Sequence, residues 1–86
     1  MAIYLGIHSG IEEMPEEKVD GAWEMYKDSC AKLDLKTHKM YYNLSEGKAF
    51  CVTEAPSKEK VQEAHDNVAS DNPIGDLQIL EIQTRD

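Results

Sequence analysis

The 86-residue sequence contains no apolar run approaching the ~20 residues that a membrane-spanning helix requires. It is poor in positive charge, with 9 Lys+Arg against 17 Asp+Glu. That balance argues against nucleic acid or an anionic membrane as partner, because both attract basic surfaces. Its two cysteines, Cys30 and Cys51, are too few for a disulfide scaffold. There is no CxxC, HxxxH or HExxH spacing, no glycine-rich phosphate loop and no dinucleotide fingerprint. The opening residues MAIYLGIHSG lack the basic and apolar regions of a signal peptide, so a cytoplasmic protein with reduced thiols is expected. No repeat, linker or low-complexity segment interrupts the chain, and residues 1–86 are read as one domain.

What is present is a clear succession of periodicities. AIYLGIH alternates Ile3, Leu5 and Ile7 with Tyr4, Gly6 and His8, as a strand does. Pro15 suits the first turn of a helix, and Glu16 and Glu17 complement its dipole. Val19, Ala22, Trp23, Tyr26, Cys30 and Leu33 then recur at spacings of three and four, the apolar stripe of a helix that stops at Asp34. LKTHKMYYNL reads as a strand, Ser45-Glu46-Gly47 as a tight turn, and KAFCVTEA as the returning strand of a hairpin. Pro56 and Ser57 open a second helix, with Ser57 as N-cap and Val61, Ala64, His65 and Val68 facing inward. SDNPIGD is a loop and LQILEIQT the last strand. The order β-α-β-β-α-β predicts an α+β, ferredoxin-like fold, a four-stranded antiparallel sheet with two helices on one face.

Two facings of that sheet compete. With the large aliphatics under the helices, His8 and Cys51 lie on the open face. With His8 and Cys51 under the helices, Ile3, Leu5, Ile7, Phe50 and Val52 are left uncovered. An apolar face of that kind needs a cover, most simply the same face of a second subunit, so a homodimer through the open sheet face is expected.

Thiolate and imidazole together suit nickel, zinc or copper, which makes His8, Cys51 and His65 candidate metal ligands. The bland alternative is a buried thiol with two incidental histidines. His38, between Thr37 and Lys39, reads as a solvated surface histidine, and the acidic run at residues 12–17 as a solvated helix start. Tyr4, Trp23, Tyr26 and Tyr41 are candidates to line a small-molecule pocket between sheet and helices. That arrangement would suit a metal-free binding protein or an enzyme of the monooxygenase or isomerase type built on dimeric α+β barrels; aromatic residues so spaced also make ordinary core. No nucleophile, base and acid set is legible, so no catalytic residue is assigned.

A first strand carrying IHSG, the segment EGKAFCVTEAPSKEKV, and EAH placing a histidine fourteen residues after the cysteine form a specific combination. It resembles a family of small bacterial proteins, long described as a domain of unknown function, in which a nickel-binding member is known. The resemblance spans nearly the whole chain. It implies a ferredoxin-like fold, a dimer, and a ligand cluster falling on His8, Cys51 and His65. The family also tends to carry a histidine on the first helix; Trp23 stands at that position here, and an indole cannot ligate a metal. Because Trp23 and His65 lie on inward stripes, one constellation requires His8 and Cys51 to face the helices. The expectation is a small dimeric metal-binding protein, nickel first, with zinc and copper as the other candidates.

Overall fold

The chain folds as β1 (Ala2–Ser9), α1 (Glu16–Lys32), β2 (Lys36–Asn43), β3 (Lys48–Ala55), α2 (Lys58–Ala69) and β4 (Asp76–Ile82). These elements come from a computed structural model that describes residues 1–70 and 75–85. The middle of the expected loop SDNPIGD, residues 71–74, lies outside the described residues. The strands form one antiparallel sheet in the order β2-β3-β1-β4. This is the ferredoxin-like plan read from the sequence.

Local chemistry accounts for the element ends. Pro15 is the N-cap of α1 rather than its first turn, and the acidic pair Glu16 and Glu17 occupies the dipole-favoured positions behind it. At the other end Asp34 adopts φ 59, a left-handed conformation usually left to glycine. The Leu35 amide donates to the Cys30 carbonyl at 2.8 Å and the Asp34 amide to the Ala31 carbonyl at 3.2 Å. These two bonds close the helix in a Schellman motif. Ser57 caps α2 by accepting from the Lys60 amide at 3.3 Å. Gly47, at φ 70, closes the β2–β3 turn by donating to the Leu44 carbonyl at 3.1 Å.

The sheet face under the helices carries the buried Tyr4 and Ile79, but small residues line its middle. Gly6 on β1 and Ala49, Cys51, Thr53 and Ala55 on β3 are all buried. Against them pack Val19, Ala22, Tyr26 and Cys30 from α1 and Val61, Ala64, His65 and Val68 from α2. Small sheet residues let the two helices lie close, and the helices supply the bulk themselves. The helices are pinned by Ser29, whose hydroxyl donates to the Ala64 carbonyl at 3.0 Å. The opposite sheet face carries Ile3, Leu5, Ile7, Phe50 and Val52, all half-buried, together with the exposed Leu80 and Tyr41. His8 and Cys51 therefore face the helices and the large aliphatics face outward.

Candidate metal centre

The β1–β3 register sets the site. Gly6 pairs with Cys51, and His8 lies two residues further along β1 on the same face. From above, α2 presents His65 on its buried stripe. The Cys51 Sγ is 3.3 Å from His65 Nε2 and 3.9 Å from His8 Nε2. All three potential ligand atoms lie within 4.8 Å of one another. Tetrahedral coordination at ordinary metal–sulfur and metal–nitrogen distances separates sulfur from nitrogen by about 3.6 Å. The three donors already stand close to that spacing.

Space for this approach comes from Gly6. A Cβ there would sit 2.7 Å from Cys51 Sγ and 3.1 Å from His65 Nε2. Gly6 is not among the residues with positive φ, so its role is room, not backbone freedom. A side chain of any size at this position would occupy the volume where the donors converge.

The protonation states of the two buried donors follow from their surroundings. His65 Nδ1 is 2.8 Å from the Val61 carbonyl oxygen. A carbonyl only accepts, so Nδ1 carries the proton and Nε2 keeps its lone pair toward Cys51. Burial lowers the His65 pKa to about 4, the imidazole remaining neutral at ordinary pH. Burial, with Cys30 nearby, pushes the Cys51 thiol up to about 12, against the lowering effect of backbone hydrogen bonds at Gly6 and at Cys51 itself. In the metal-free protein the pair is thus a thiol donating to a neutral imidazole. A cationic ion placed between them reverses the burial cost, since it stabilises the thiolate directly.

Aromatic rings frame the cluster. The Tyr26 ring centroid lies 4.3 Å from that of His65, and its hydroxyl shares a 2.6 Å hydrogen bond with the Thr53 hydroxyl. Trp23 stacks obliquely on Tyr26 at 6.0 Å and carries Lys27 over its face at 5.7 Å. A cavity of about 80 Å3 adjoins the cluster, lined by His8, Cys51 and His65 together with Trp23, Tyr26 and Met40.

The sequence candidates divide cleanly in space. His8, Cys51 and His65 come together, and Trp23 and Tyr26 border them. The four-aromatic pocket is not assembled: Tyr41 points to the opposite sheet face, 59% exposed, because it is one residue out of phase with Met40. Tyr4 is buried under the helices, opposite Thr53 and Glu81, and does not line the cavity. His38 is exposed as expected, yet not merely solvated, since its Nε2 lies 2.6 Å from a Glu54 carboxylate oxygen. Two contributors escaped the sequence reading. Gly6 carried a legible signal, an isolated glycine inside a strand pattern. Met40 carried none, because its place depends on strand register.

Residues 4–75 match the sequence profile described as nickel responsive protein SCO4226-like. The chain belongs to this family. Five solved chains share its fold at a significant level. Among them is the crystal structure of SCO4226 from Streptomyces coelicolor A3(2), at a TM-score of 0.83 and 17% identity, covering 99% of this chain and 100% of that one. No curated protein sequence matches the chain at a significant level. Membership of the SCO4226-like family and the convergence of two imidazoles on a thiol are independent observations, one from sequence and one from geometry.

Proposed function

We propose that this SCO4226-like protein binds one transition-metal ion through His8, Cys51 and His65, with nickel, zinc and copper as the candidates. The carrying observation is the approach of three donor atoms within 4.8 Å around a glycine-made space. The family description adds nickel to the reading. When bound, the ion supplies a positive charge in an otherwise apolar cavity. The chain does the rest: the Val61 carbonyl fixes the His65 ring, Tyr26 backs it, and Trp23 borders the cavity where the family pattern has a further histidine. Cys51 gives up its proton to solvent as the ion enters, so binding weakens in acid.

The protein acts as a homodimer joined through the open sheet face. Four strands of about 25 Å, spaced by about 4.8 Å, present roughly 500 Å2 in projection, and more with side-chain relief. That approaches the ~800 Å2 per partner of a standard interface. Ile3, Leu5, Ile7, Phe50 and Val52 supply the apolar centre. No described helix is long and apolar enough to cross a membrane, and both cysteines are free and buried, which suits the cytoplasm.

The tests are direct. Tag-free protein should carry a transition metal by mass spectrometry, and nickel should bind the wild type more tightly than ~10 μM. Weaker binding of every transition metal sinks the reading, and tight binding that survives Cys51→Ala discards the ligand set. Light scattering should give a dimer that Val52→Asp converts to monomer; a monomeric wild type ends the dimer proposal. The cavity beside Trp23 and Tyr26 sustains a second reading, a small-molecule site without metal. Retention of an organic ligand by metal-free protein would favour it.

A further inference from the structure

Met40 stands beside Cys51 because β2 carries one residue more than its partner. Lys36 and Thr37 pair with Glu54 and Thr53, but beyond them Met40 and Tyr41 pair with Cys51 and Phe50. His38 and Lys39 together therefore oppose Val52 alone, which is a β-bulge. Had the first register continued, Lys39 would stand opposite Cys51. Its ammonium would then share the sheet face with the donor triad and repel a cation. The bulge replaces it with a thioether. Residues directly opposite in an antiparallel pair share a face, with Cβ atoms about 4.5–5.5 Å apart. Met40 accordingly lines the same cavity as His8, Cys51 and His65.

Charge points the same way. Among the described residues that line the cavity there is no carboxylate and no lysine or arginine. Of His8, Cys51, His65 and Met40 only Cys51 brings a negative charge to a metal, as a thiolate, since imidazole and thioether are neutral ligands. A divalent ion held this way leaves one uncompensated positive charge in an apolar cavity, and a monovalent ion leaves none. Burying unpaired charge is costly, so the site as built favours the monovalent case.

We propose that Met40 Sδ is a fourth donor and that the completed set, two imidazoles, a thiolate and a thioether, holds copper(I) in preference to nickel(II). The proposal rests on the reading that the triad binds metal. Thiolate and thioether ligands select copper(I), whereas nickel(II) favours tetragonal nitrogen and oxygen surroundings. Two histidines, a cysteine and a methionine are also the set found around copper in electron-transfer proteins. Binding exchanges the Cys51 thiol proton for the ion, and the proton leaves to solvent; no electron is transferred.

The experiment uses the full chain without a tag under anaerobic conditions. Copper(I) affinity is read by competition with bathocuproine disulfonate, and nickel(II) affinity by competition with nitrilotriacetate. X-ray absorption of the copper form counts sulfur ligands. Wild type should bind copper(I) more tightly than nickel(II) and show two sulfurs. Met40→Leu, which conserves volume and so preserves the fold, should show one sulfur and lose copper(I) affinity about 10–100-fold, the scale of a removed supporting group at a metal site. Its nickel affinity should fall by less than its copper(I) affinity. A single sulfur in wild type, an unaltered copper(I) affinity in Met40→Leu, or nickel held as tightly as copper(I) overturns the proposal. Nickel binding through the triad with copper failing defeats this inference alone; failure of both ions defeats the metal reading with it.

Discussion

Replacing Gly6 by alanine isolates the steric basis of the site. In most strands this change helps, because it removes unfolded-chain entropy and gains about 0.4–1 kcal/mol where the backbone is compatible. The Gly6 backbone is compatible, as it is not among the positive-φ residues. The new methyl, however, falls 2.7 Å from Cys51 Sγ, inside any tolerable contact, and 3.1 Å from His65 Nε2. Cysteine has one short side-chain torsion with which to retreat, and Cys51 is 2% exposed in a close-packed interior. Overpacking of this kind costs about 1–3 kcal/mol. The net expectation is a loss of about 1–2 kcal/mol in metal-free stability, read from the urea midpoint. Because the methyl also separates the donors, nickel affinity should fall roughly 10–100-fold. A Gly6→Ala protein that is as stable as wild type and binds nickel as tightly would refute the claim that Gly6 makes the space.

Other expectations follow from individual groups. Burial depresses the folded-state pKa of His65 to about 4 from the 6.5 of an unfolded chain, so its stabilising effect is present above pH 6.5 and lost as pH falls toward 4. Between pH 7.5 and 4.5 metal-free wild type should lose about 2–3 kcal/mol more than His65→Gln, by urea denaturation in the presence of a chelator; equal losses would remove the assignment. Asp34→Gly should raise stability by up to about 1 kcal/mol, since glycine adopts the left-handed conformation without strain and an acid leaves the helix C-terminus. A lower melting temperature for this variant would contradict the account of the α1 terminus.

The order of elements was legible because each periodicity is local. β3 has the bounds expected from KAFCVTEA, and the inward face of α2 is Val61, Ala64, His65 and Val68 as its spacing dictates. Which face of the sheet meets the helices was not settled by residue character. Bulk suggested burying Ile3, Leu5 and Ile7, yet the helices bring Tyr26 and Trp23 down onto the middle of the sheet, where Gly6, Ala49, Cys51 and Thr53 stand. The family resemblance chose the correct facing through Trp23 and His65. Tyr41 was misplaced and Met40 overlooked for one reason: a bulge at His38 and Lys39 changes the phase of β2, and no local pattern announces it. Helix periodicity placed His65, but its distance from Cys51 needed the pairing of Gly6 with Cys51.

Anomalous diffraction at the nickel absorption edge, from crystals of tag-free protein loaded with one equivalent of nickel, tests the central claim most directly. The account predicts one dominant peak per chain, bonded to His8 Nε2, Cys51 Sγ and His65 Nε2 between the sheet and α2. A peak held by other residues, or none at that position in fully loaded protein, would contradict it.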